Sequence, residues 1–170
     1  VNFWGKTISF SAGSGVLDFE QLSSTKNVIN LQAQEAINID AALLITQVGL
    51  NDSTVEDSLN ISGGDIFIEA PQVTVSNGSI VSAGTLSEGA GGSITINAQD
   101  WLKLLGSELN SERSNPSIIS TSSEGIGKGG QIDINTGKLT IRDGSQIQAL
   151  AGEGAGGTIW VDATESIELS

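Results

Sequence analysis

The sequence predicts an all-β protein built as a parallel β-solenoid: about six three-stranded coils, arranged as three 65-residue repeats of a short coil and a long one. Three observations predict it. A Gly-Gly pair recurs at Gly63-Gly64, Gly91-Gly92, Gly129-Gly130 and Gly156-Gly157. Each pair leads into a stretch with apolar residues at every second position, DIFIEA, SITINA, QIDINT and TIWVDA, which is the period of a strand. Finally, Ile94, Ile96, Ala98, Leu102 and Leu104 reappear 65 residues later as Ile159, Val161, Ala163, Ile167 and Leu169, and 65 residues earlier as Ile29, Leu31, Ala33, Ile37 and Ile39.

Taken along the chain, KTISFSAGSGVLDF at 6–19 reads as the first short coil with a shifted turn. NVINLQAQEAINI opens the first long coil, with Lys26-Asn27 in place of the glycine pair. The units starting at Gly63 and Gly129 are partner short coils: Ile66, Ile68, Val73 and Val75 correspond to Ile132, Ile134, Leu139 and Ile141. A second alternating stretch follows in each unit (QVTV, WLKL, KLTI, SIEL), and complete units add a third (SIVSA, SIISTS, QIQAL). Between the second and third, Asn77-Gly78 and Asp143-Gly144 predict corners with positive φ. An antiparallel meander would use such pairs as hairpin turns, but it gives no reason for five apolar columns to recur together. Stacked coils, each climbing about 4.8 Å, do.

The long coils owe their length to QVGLNDSTVEDSLN at 47–60 and GSELNSERSNPS at 106–117. Both insertions are expected after the second strand of a long coil, protruding from one face, where a solenoid often carries its function. The whole chain, 1–170, reads as one domain.

Composition narrows the chemistry. There are 22 Gly, four Phe and three Trp, with no Tyr, Met, Cys or His. A Ser-His-Asp triad, a cysteine nucleophile, a zinc finger and a disulfide framework are therefore excluded. A net charge of −13 repels nucleic acid and anionic lipid. The longest apolar run, AALLI at 41–45, is far short of the roughly 20 residues of a spanning helix, so no membrane insertion is expected. Starting without Met suits a processed chain or an excerpt, and lacking Cys is compatible with the cytosol while also suiting a large secreted bacterial protein.

GGSITINAQDWLKLLG, GGQIDINTGKLTIRDGSQIQALAGEGAGG and GGTIWVDATESIELS together resemble the repeats of filamentous-haemagglutinin-like exoproteins of two-partner secretion, particularly the large repetitive forms common in cyanobacteria. The resemblance covers nearly the whole chain. It implies a right-handed parallel β-helix, export through an outer-membrane partner barrel, and an extracellular or outer-surface location. These repeats mark a scaffold with no catalytic signature, so a structural or adhesive role is implied. The family's secretion domain, with its Asn-Pro motifs, is not visible among these residues.

Several residues nevertheless invite a functional reading. GEGAGGTIWV superficially matches a glycine-rich calcium repeat, but Ala90, Ser93, Ala155 and Thr158 stand where aspartate ligands are needed. The column Glu69, Asn97, Asn135 and Asp162 reads as an outward polar ladder, with a weak cation site as the alternative. A lyase or hydrolase, on analogy with other solenoids, would have to use Arg142 or Lys138, which a solvated strand face explains adequately. No catalytic residue, cofactor or resident metal is expected. Trp101 and Trp160 alternate with inward residues and are candidate ligand or partner contacts, for a polysaccharide or a cell-surface receptor. The insertions at 47–60 and 106–117 are the alternative recognition elements. The sequons at Asn51, Asn60 and Asn77 are read as incidental. Uncovered strands at the two ends, with Phe3, Trp4, Ile8, Phe10, Ile167 and Leu169, are candidates for head-to-tail self-association or for contact with further coils.

Overall fold

The computed structural model describes residues 1–20, 27–48, 61–110 and 113–170. The chain forms β1 (Asn2–Phe10), β2 (Gly15–Glu20), β3 (Val28–Asp40), β4 (Leu43–Val48), β5 (Asp65–Ser76) and β6 (Ile80–Thr85). There follow β7 (Ser93–Leu105), β8 (Ser107–Asn110), β9 (Arg113–Asn115), β10 (Ile118–Ser123), β11 (Gln131–Arg142), β12 (Gln146–Ala151) and β13 (Thr158–Leu169). No helix occurs among the described residues.

The long strands make one six-stranded sheet, ordered β1-β3-β5-β7-β11-β13, and the short strands a five-stranded sheet, β2-β4-β6-β10-β12. Every pairing in both is parallel. The chain therefore crosses the first sheet, turns into the second, and returns one strand further on. This arrangement is consistent with a β-solenoid. One long strand and the short strand that follows it form a layer.

The predicted columns are the registers of the first sheet. Ile29, Ile66, Ile94, Ile132 and Ile159 are mutually aligned, as are Leu31, Ile68, Ile96, Ile134 and Val161. The first four members of each are buried and meet Leu44, Val81 and Ile119 from the second sheet in one core. Residues 65 apart lie two strands apart, which is the source of the long recurrence.

The first two stretches of each unit form one strand with a bend, where the sequence predicts two strands. At the bend β3, β7 and β13 carry one residue more than β1, β5 and β11, so every neighbouring pair joins a longer bend to a shorter one. The extra residue decides side-chain phase. In β5 the buried positions shift parity, from Ile66, Ile68 and Ala70 to Val73 and Val75. In β7 the parity of Ile94, Ile96 and Ala98 is kept by Leu102 and Leu104. Each pairing is interrupted by a bulge at the bend and resumes beyond it with the inward columns aligned again.

The corners between sheets bear out the turn chemistry. Asn77 and Gly78 have φ of 56° and 78°, and Asp143 and Gly144 have 58° and 72°. The β3–β4 corner uses Ala41, at φ 49°, a conformation costing a non-glycine residue about 1–2 kcal/mol. Beneath these corners runs a serine ladder: Ser79 Oγ accepts the Ala42 N–H at 3.1 Å and Ser145 Oγ accepts the Ser117 N–H at 3.1 Å. The glycine pairs line the opposite corner, where a Cβ on Gly92 would overlap the Gly64 carbonyl and one on Gly130 the Gly92 carbonyl. Successive backbones touch there, so only glycine fits.

The insertions do not share a position. Residues 43–48 are β4, paired with β2 and β6, so the first insertion leaves after the second sheet, and its residues 49–60 lie outside the described residues. The second leaves between β7 and β10, on the other side of the stack. It contains the antiparallel hairpin β8-β9 rather than an open loop.

Candidate functional site

Strand alternation decides which aromatic side chains a ligand can reach. Phe3 and Phe10 face inward on β1 and meet edge to face, with ring centroids 5.6 Å apart, and together with Ile8 they pack on the core. Trp4 lies between inward neighbours and points outward, 76% exposed. It lies on the edge strand β1, with its side chain on the lateral face and not in an inward column. At the other end Ile167 and Leu169 stand in inward columns but are exposed, because β13 is the edge of its sheet.

Trp160 is outward on β13 and 64% exposed, aligned with Asp133. Trp101 is half-buried, and Lys103 Nζ sits 4.7 Å from its ring centroid. That face is covered by a cation. Trp101 stands just after the bend of β7, about 16 Å along the strand from Gly106, where the hairpin insertion begins. The hairpin instead folds over the Asn77-Gly78 corner, where Asn115 Nδ2 donates to the Asn77 carbonyl at 3.2 Å. Of the sequons, Asn77 is in this corner, while Asn51 and Asn60 lie outside the described residues.

Glu69, Asn97, Asn135 and Asp162 form one outward column as predicted, with Trp4 and Gln32 completing it. Its members bond to one another: Gln32 Nε2 donates to Glu69 Oε2 at 3.1 Å and Asn135 Nδ2 to Asn97 Oδ1 at 3.1 Å. Among the described residues no group of three His, Cys, Asp or Glu side chains is placed to hold a metal ion. Lys138 pairs with Glu165 at 3.2 Å and Arg142 with Glu168 at 3.0 Å, all four side chains about half exposed. Both cations flank β13 as surface ion pairs, which contribute about 0–1 kcal/mol each. Lys6 makes the equivalent pair with Glu35 at 3.0 Å, again between a shorter bend and a longer one.

One site was not singled out from sequence. Beside the bend of the first sheet a groove of about 620 Å³ is lined by Trp4, Gly5 and Lys6 of β1, residues 32–34 of β3, residues 69–71 of β5 and Gln99 of β7. The alternating bends make it: Gln34 and Gln99, on the longer bends, are exposed and stand proud, and Ala70-Pro71, on the shorter bend between them, forms the floor. The signal available in the sequence was the step of three residues from Ala70 to Val73 against four from Ala98 to Leu102.

Among the described residues no helix is long and apolar enough to cross a membrane. Compared with family models, curated proteins and solved structures, the chain matches none.

Proposed function

We propose that the protein is a right-handed parallel β-helix of about six coils in three short-and-long repeats, serving as a structural and adhesive rod outside a bacterial cell. In this reading it is akin to the filamentous-haemagglutinin-like exoproteins its repeats resemble. The observation that carries the proposal is the continuous register of inward columns through all six long strands, ending on edge strands that carry the same columns. Right-handedness is supported by the near-universal hand of crossovers between parallel strands of one sheet. Six layers give a rod about 30 Å long.

The terminal strands support stacking. A second copy placed with its β1 on β13 sets Val161 against Phe3, Ile167 against Ile8 and Leu169 against Phe10, and keeps longer and shorter bends alternating. The second sheet ends one layer earlier, on β12. The same docking leaves about 9.6 Å, two strand spacings, between β12 and the second copy's β2. One further strand of the second sheet, from adjoining coils or another molecule, would fill that gap.

The test is X-ray scattering across a concentration series beside electron microscopy. Particles that lengthen with concentration at constant cross-section are expected. A mass and length independent of concentration would remove self-stacking, leaving contact with adjoining coils as the function of these edges.

A further inference from the structure

We propose that the groove beside the bend of the first sheet binds an extended, neutral, linear glycan, with Trp4 as its stacking platform. This goes beyond the structural role and does not depend on it. Three observations support it. The first is shape: about 620 Å³ lies within the usual 300–1,000 Å³ of ligand sites, and the groove crosses four adjacent strands, about 14 Å. An extended chain of pyranoses advances by about one strand spacing per sugar, so three or four sugars would fill it in step with the strands.

The second is chemistry. Trp4 offers an indole face at one end, 76% exposed, suited to the C–H face of a pyranose. Gln32, Gln34 and Gln99 add amides, each both donor and acceptor, which match vicinal hydroxyls. The Gln32–Glu69 hydrogen bond fixes the orientation of that amide and leaves its Oε1 and the second Glu69 oxygen as acceptors.

The third is charge. The cation in the groove, Lys6, is held by Glu35 at 3.0 Å, Glu69 is acidic, and the whole protein carries −13. Uronic-acid and sulfated chains are repelled, which selects a neutral glycan. Trp160, exposed on the same sheet, has Asp133 as its neighbour and no part in the groove.

The 170-residue protein would be titrated calorimetrically with cellohexaose, N-acetylchitohexaose and xylohexaose, beside an oligogalacturonate of equal length. Binding of at least one neutral hexamer is expected, with the Trp4 indole N–H signal shifting. Affinity should rise with chain length to about three or four sugars and then level. Trp4→Ala should weaken binding about tenfold or more, Gln34→Ala by less, and Trp160→Ala not at all. Trp4 is a surface residue, so an unchanged melting temperature would establish that the variant is folded. Failure of all three neutral hexamers, preference for the oligogalacturonate, or full binding by folded Trp4→Ala would overturn the proposal.

Discussion

Ile94 and Ile159 occupy the same inward column and each follows a glycine pair, yet alanine should cost them very different amounts. Ile94 is 0% exposed between β5 and β11, while Ile159 on the edge strand is 42% exposed. Ile→Ala removes three carbons, worth about 2.4 kcal/mol of transfer free energy when fully buried, at about 0.8 kcal/mol each. At Ile94 the enclosed void they leave, about 60–80 Å³, adds about 1.5–2 kcal/mol at about 24 cal/mol per Å³. The expected loss for Ile94→Ala is thus about 4 kcal/mol. At Ile159 only the buried share is forfeited and no closed void forms, so about 1.4 kcal/mol is expected. Urea unfolding followed by circular dichroism reads the difference from the midpoint and slope. Losses within 1 kcal/mol of each other would refute the assignment of β13 as an uncovered edge and β7 as an interior strand.

Other substitutions test the corners. Gly92→Ala places a Cβ against the Gly64 carbonyl, whereas at Gly156 the nearest atom is 3.8 Å away. Thermal melting should show a loss of about 1–3 kcal/mol for the first and little change for the second. Ala41→Gly relieves a φ of 49° and should stabilise by about 0.5–1 kcal/mol in the same unfolding assay, net of the entropy glycine adds to the unfolded chain. Ser79 is 0% exposed and its hydroxyl meets the Ala42 N–H and the Ile39 and Ser76 carbonyls. Ser79→Ala should cost about 1–3 kcal/mol by denaturant titration. Thr121 is 0% exposed with a hydroxyl that finds no partner. Thr121→Val should raise stability by about 1 kcal/mol, seen as a higher unfolding midpoint.

The apolar columns, the glycine corners and the positive-φ turns were legible because each follows from one local rule, strand alternation or backbone sterics. Lys26-Asn27 reads as a degenerate glycine pair, and Asn27 does lie against Gly64 in the stack. What misled was the boundary between strand and insertion. Gln47 and Val48 read as the start of the first insertion until their pairing, with β2 and β6, is known. Pairing of that kind is nonlocal. The groove escaped notice for a related reason: it depends on two neighbouring bends differing by one residue, and neither bend is informative alone. Trp4 belongs to the chain end by position, while alternation with Phe3 turns its side chain outward.

The central claim is parallel stacking in the stated register, and a chain without cysteine allows it to be read directly. Thr95 and Asp133 are outward register partners on β7 and β11. Thr140 lies on the same β11, beyond its bend and about 23 Å along the strand from Asp133. The double variant Thr95→Cys with Asp133→Cys should close to an intramolecular disulfide in mild oxidant, seen by mass spectrometry as the loss of two hydrogens. Thr95→Cys with Thr140→Cys should stay reduced. Cross-linking of the second pair as readily as the first, or failure of the first in folded protein, would contradict the fold.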